Sequence, residues 1–295
     1  MKITIHKTRR GAFACALGLG LLSAAGAASA GNTGLAFVHG TGSQTNAAKD
    51  YWTQPMIDSV RQRLPNRNLV IVINCDFGQY MWAPGASGCL ADQLYPFIVN
   101  NNITDLVIES HSNGGNVVRW LMSNPTRDAR FPAIISAIRW VNAIAPSSLG
   151  TPLADATISG NVFESSLGWL LGYKSDAVRQ QQVSWMASYN ANWLYGTAGR
   201  PALPKRFYNV VGTDVDTSPL DGSSYCGGYG LNVGLEVTQA WLNSCSDGFI
   251  NCTSAAGAGA TWFYDKNKTV GGEPLSHNQS RRACFGIDTI LRNDL

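Results

Sequence analysis

Ser112 stands at the centre of the run Ser110-His111-Ser112-Asn113-Gly114-Gly115, which follows an apolar stretch, Ile103–Glu109, and precedes a helical one, Asn116–Met122. A serine on a sharp strand-to-helix turn needs small residues two places before and two after it, because the backbones crowd there. Ser110 and Gly114 meet that need, and such a turn presents the hydroxyl as a nucleophile. Placing the nucleophile at Ser110 instead would put Ile108 in the crowded position. A hydroxyl attacks only when a base takes its proton. Beyond residue 30 the chain has three histidines, His39, His111 and His277. The first two lie inside turn motifs, which leaves His277 as the base. An orienting acid between serine and histidine gives the hydrolase order Ser, Asp, His, and Asp214, Asp216, Asp221 and Asp247 lie between the apolar runs Phe207–Val211 and Thr261–Tyr264, where this order would place it. Spacing alone leaves these four open. A second turn, His39-Gly40-Thr41-Gly42, closes the first apolar run. An oxyanion needs two N–H donors, and Thr41 there and Asn113 after the serine would supply them.

Residues so far apart in the chain need a frame to bring them together. Short apolar runs at Gly34–Val38, Leu69–Asn74, Ile103–Glu109, Arg139–Ile144, Phe207–Val211 and Thr261–Tyr264 read as buried strands. Helical spacing over Asn46–Leu64, Leu90–Val99, Asn116–Met122 and Gln279–Leu291 predicts helices between and after them. The alternation implies an α/β fold, with a mainly parallel sheet of about six strands and helices on both faces. The stretch 146–203 carries no strand signal. Its Phe163, Leu167, Trp169, Leu170, Leu171, Trp185, Met186 and Trp193 suit amphipathic helices, a cap inserted after the fourth strand.

The composition excludes several classes. Only 14% of the 295 residues are charged and 45% are hydrophobic, the opposite of a disordered chain, and no sustained heptads mark a coiled coil. Residues 1–30 have a basic start with Lys2, Lys7, Arg9 and Arg10, then an apolar run, then Ala28-Ser29-Ala30. This pattern is that of a secretory signal peptide cleaved near Ala30, rather than a membrane anchor. Without these four bases the formal charge of +3 becomes 18 bases against 19 acids. No basic stripe remains, so no nucleic-acid partner is expected, and neither is a membrane span in the mature chain. Six cysteines follow the signal segment: Cys75, Cys89, Cys226, Cys245, Cys252 and Cys284. An even set behind a signal peptide implies disulfides in an oxidising compartment. Of the 15 pairings that six cysteines allow, the expectation is Cys75–Cys89, Cys226–Cys245 and Cys252–Cys284. A zinc site would want a C-x-x-C pair, which is missing.

Four segments together resemble the α/β-hydrolase superfamily, and most closely bacterial secreted lipases and esterases: VHGTG at 38–42, SHSNGG at 110–115, APSSLGTPLAD at 145–155, and SDGFI at 246–250 with the later Ser276-His277. The likeness spans 35 to about 290. The segment from Gly150 onward is similar to the one that opens the cap in such lipases, although Ser147 and Ser148 stand where Pro and His are usual. The resemblance implies that the acid is Asp247, since the family carries it in an N-D-G-hydrophobic turn, with Asp216 and then Asp214 in reserve. It implies a two-step acyl transfer with no cofactor. The calcium site of these lipases would need an acid soon after the histidine, where this chain has Asn278 and Gln279, so no metal is expected. The implied substrate is a carboxylic ester, a lipid among them. A polyester surface, transfer of the acyl group to an alcohol, and a non-catalytic lipid- or glycan-binding role are the alternatives.

Overall fold

The structure is a computed structural model that describes residues 31–160 and 174–295. The expected signal peptide and the expected cap residues Phe163, Leu167, Trp169, Leu170 and Leu171 lie outside the described residues. The first strand, β1 (Asn32–Val38), is buried on both sides from Leu35 onward. Its alternate residues enter different cores: Ala36 and Val38 face one, Leu35 and Phe37 the other. That is the pattern of a central strand in a sheet covered on both faces. Helix α1 (Gln54–Val60) follows, then β2 (Val70–Val72), α2 (Cys89–Asn100), β3 (Ile103–His111) and α3 (Asn113–Ser123). The chain continues through α4 (Phe131–Ala137), β4 (Ile138–Ile144), α5 (Pro152–Ser159), α6 (Asp176–Gln180) and α7 (Val183–Asn192). It ends with β5 (Arg206–Val211), α8 (Tyr229–Thr238), β6 (Ala260–Tyr264) and α9 (Ile287–Asp294).

All six strands run parallel in the order β2-β1-β3-β4-β5-β6. Helices α2, α3 and α4 pack on one face and α1 with α9 on the other. A third apolar cluster joins Leu153, Val178, Leu235, Phe249 and Ile250 to Val211 at the end of β5. The register places Val38 beside Ser110 and His111 beside Ile144. The turns that leave the sheet after β1, β3, β4 and β5 therefore gather at one edge, the carboxyl ends where open α/β sheets hold ligands.

Two expected helices are shorter than their periodicity suggests. The stretch Asn46–Leu64 is interrupted at Thr53, whose φ is 67°, and α1 starts only after it. The closing helix begins at Ile287 rather than Gln279, because Phe285 and Gly286 both take positive φ (48° and 77°) and break the helical path. Two of the three expected disulfides are also replaced. Cys75–Cys89 forms as expected, but Cys226 joins Cys284 and Cys245 joins Cys252. The reason is local. Ser246 and Asn251 form an antiparallel bridge that brings their outer neighbours, Cys245 and Cys252, face to face.

Candidate active site

The turn after β3 shows why the sequence around Ser112 is built from small residues. Ser112 has φ 54° and ψ −132°, a conformation that side chains seldom adopt, and α3 starts at the next residue. A Cβ on Gly114 would stand 2.1 Å from the carbonyl oxygen of His39, so only glycine lets α3 lie against the turn after β1. Gly40 is crowded from the other side: its Cβ would meet Ser112 Cβ at 2.9 Å and the Tyr51 hydroxyl at 2.4 Å. The two turns named from sequence are thus pressed together by glycines.

Three predicted residues meet at this point. Ser112 Oγ lies 3.0 Å from His277 Nε2, and His277 Nδ1 lies 2.7 Å from Asp247 Oδ2. Nδ1–H donates to the carboxylate, so Nε2 is left to accept from the hydroxyl. The loop that carries the acid is closely tied. Asp247 Oδ1 accepts from the amides of Phe249 at 2.9 Å and Ile250 at 2.6 Å, and the Asp247 carbonyl accepts from the His277 amide at 2.8 Å. The Phe249 ring stacks on His277 at 4.6 Å. Asp247, His277 and Ser112 are all buried.

The other aspartates lie elsewhere. Asp214 bonds Gln239 and pairs with Lys266. Asp216 accepts from the Ser218 amide and from Ser223 and Ser224, and Asp221 accepts from the Ser223 amide. Asp216, Asp221 and Glu273, all half-buried, lie close enough together to hold a cation.

Thr41 lines the same recess as Ser112, and Asn113 follows the serine in the chain. Their amides have no hydrogen-bond acceptor among the described residues, as the first amides of a helix and of a tight turn often do not. Their side chains are held by two residues that the sequence gave no reason to single out. Gln181 Nε2 donates to Thr41 Oγ1 at 3.0 Å, and Gln180 Nε2 donates to Asn113 Oδ1 at 3.2 Å. Gln180 ends α6 and Gln181 caps it, so the segment after β4 reaches the residues of both turns. Ser147 and Ser148, the departures from the lipase-like segment, are buried beneath it, and Ser147 Oγ donates to Gln181 Oε1 at 2.8 Å.

The two remaining histidines do not bond Ser112 Oγ. His39 donates from Nδ1 to the Gly40 carbonyl at 2.8 Å and stacks on Phe77 at 4.3 Å. Burial holds it down to a pKa of about 4. His111 donates from Nε2 to the His277 carbonyl at 2.9 Å, and its Nδ1 accepts from the Tyr51 hydroxyl at 2.6 Å. Burial, with His277 and Arg281 nearby, keeps its pKa well below the ordinary value, so the ring stays neutral. Arg281 lies 4.1 Å over the Tyr51 ring and completes the stack. A narrow recess of about 40 Å³, lined by Thr41, Tyr51, Ser112, Phe249, His277 and Arg281, opens onto the serine.

No protein-family model matches the chain, and no curated protein matches it in sequence. Several solved structures are similar in shape. A lipase of Bacillus licheniformis in its mature form matches with a TM-score of 0.63 at 17% identity, over 85% of this chain and 87% of that one. A metagenomic carboxyl esterase matches at 0.53 with 14% identity, over 90% and 77%. Lipase 1 from Pelosinus fermentans also matches at 0.53 with 14% identity, over 84% and 89%. At such identities the likeness is one of architecture, and the chain has the α/β-hydrolase fold.

Proposed function

We propose that this protein is a serine hydrolase that cleaves carboxylic esters through an acyl-enzyme. The observation that carries the reading is the continuous hydrogen-bonded line from Ser112 Oγ through His277 to Asp247. His277 Nε2 removes the hydroxyl proton as Ser112 Oγ attacks the ester carbonyl carbon. Asp247 keeps the proton of Nδ1 in place and stabilises the imidazolium that forms. The amides of Thr41 and Asn113 take the charge on the former carbonyl oxygen. The ester C–O bond then breaks, and the alcohol leaves with the proton held on Nε2. Water enters by the same path, releases the acid and restores the serine. The structural neighbours named lipase and esterase support an ester rather than an amide.

Residues 1–30 would act as an export signal, giving a secreted or periplasmic protein. The three disulfides suit that compartment, and no described helix is long and apolar enough to cross a membrane. Sequencing the N-terminus of protein taken from the culture medium checks the cleavage, with Gly31 expected first.

A p-nitrophenyl ester series from acetyl to palmitoyl, run on wild type and Ser112→Ala, tests the activity. Turnover by the wild type and its loss in a variant with unchanged circular dichroism is the expected result. The chain-length optimum separates esterase from lipase. Activity retained in the variant would overturn the assignment of Ser112.

A further inference from the structure

Besides the recess at Ser112 the described residues form a groove of about 710 Å³, lined in part by Trp120 of α3. It lies within the size range of small-molecule sites. It shares no lining residue with that recess. Trp120 in its wall is seven residues beyond Asn113, roughly 10 Å along the helix axis.

The walls are aromatic and held in place without being covered. Trp82 stacks on Tyr80 at 4.8 Å with the rings 3° from parallel, and touches Trp120 at 5.5 Å and the edge of Tyr189 at 5.2 Å. It is nevertheless 39% exposed, and Trp193 across the groove is 47% exposed. Large rings fixed this way offer flat apolar faces with little rotamer freedom left to lose on binding.

The rim is charged but balanced. Arg130 sits between Asp128 and Asp92, fixing both carboxylates. Arg127 lies 5.7 Å over the Trp193 ring. Two guanidinium groups against two carboxylates leave no net field to attract an anion or a cation. They do leave donors on Arg127 and acceptor positions on the aspartates, side by side above an aromatic floor.

We propose that this groove binds a neutral oligosaccharide. A pyranose ring has an apolar C–H face that stacks on tryptophan, and hydroxyls at its edge that both donate and accept. A fatty acid or a phosphorylated ligand would gain Arg127 but meet Asp92 and Asp128, and a wholly apolar chain would leave the rim unpaired. The inference is independent of the hydrolase reading, because it concerns binding at a different place.

The test is tryptophan fluorescence and titration calorimetry on the purified protein with cellohexaose, xylohexaose and chitohexaose, and with decanoate for comparison. At least one hexasaccharide is expected to saturate with a Kd below about 1 mM. Trp82→Ala and Arg127→Ala should each weaken that binding at least about tenfold, whereas Ser112→Ala should bind as wild type does. Arg127 is exposed, so its variant serves if Trp82→Ala fails to fold. The proposal is overturned if no hexasaccharide binds in that range, if both groove variants bind as tightly as wild type, or if decanoate saturates the site and hexasaccharides do not displace it.

Discussion

His111 Nε2 stands 2.9 Å from the main-chain carbonyl of His277, so the residue just before Ser112 holds the backbone of the residue opposite it. The bond spans 166 positions of sequence and ties the turn after β3 to the loop after β6. Ser280 Oγ donates to the same carbonyl at 3.0 Å.

This tie makes His111 a positioning residue for the proposed reaction. His111→Phe should lower kcat by about 10²-fold, the cost of misplacing a reacting group by around an ångström, with KM little changed. His111→Gln, which can still donate to the carbonyl, should recover part of the loss. A merely structural role would lower the melting temperature while sparing kcat in the fraction that remains folded. Steady-state kinetics beside a thermal melt separates the two.

Asp247→Asn should lower kcat by about 10⁴-fold, because the amide no longer holds the imidazole tautomer that accepts from Ser112. Asp216→Asn and Asp214→Asn, whose carboxylates bond serines and Lys266, should leave kcat unchanged. Loss of activity in either of those two, with Asp247→Asn active, would exchange the roles.

How much of this could be seen in the chain itself differs from residue to residue. The strands were legible because each is a short apolar run bounded by turn residues. The contact between Ser112 and His277 was legible because turn chemistry and a count of histidines are local facts. Asp247 needed the resemblance, since four aspartates lie between β5 and β6. Gln180 and Gln181 were not legible. Their value comes from a helix that packs against Thr41 and Asn113 more than sixty residues away, and no periodicity marks that. The disulfides depended on which chain ends the 246–251 turn brings together, which spacing does not reveal.

The two misassigned disulfides should behave differently. Cys226–Cys284 closes 58 residues and Cys245–Cys252 closes seven. By loop entropy the first is worth about 4 kcal/mol and the second about 2 to 3. The smaller one encloses Asp247. Replacing Cys245 and Cys252 by serine should therefore cost less in denaturant stability than replacing Cys226 and Cys284, yet more in kcat. Urea melts and ester turnover on the two double variants check both rankings.

Glu109 is buried beside Asn142 and Asp294, and burial raises its pKa to about 8, although the hydrogen bond from Asn142 opposes the shift. The unfolded chain loses this proton near 4.5, the ordinary value for a glutamate, while the folded chain keeps it until about 8. Between those values the unfolded state binds fewer protons, so stability falls as pH rises, by at most about 1.4 kcal/mol per pH unit. Glu109→Gln should remove that slope. Chemical denaturation at pH 5, 6, 7 and 8 reads it directly, and parallel lines for the two proteins would reject the assignment.

The backbone at Ser112 has a further consequence. A φ of 54° with ψ −132° lies close to ground that glycine alone occupies freely, and a side chain held in such a region costs on the order of 1 to 3 kcal/mol. Ser112→Gly is thus expected to be more heat-resistant than the natural chain while losing its reaction. The hydroxyl at this turn is thus held at a cost in stability that a glycine would not incur.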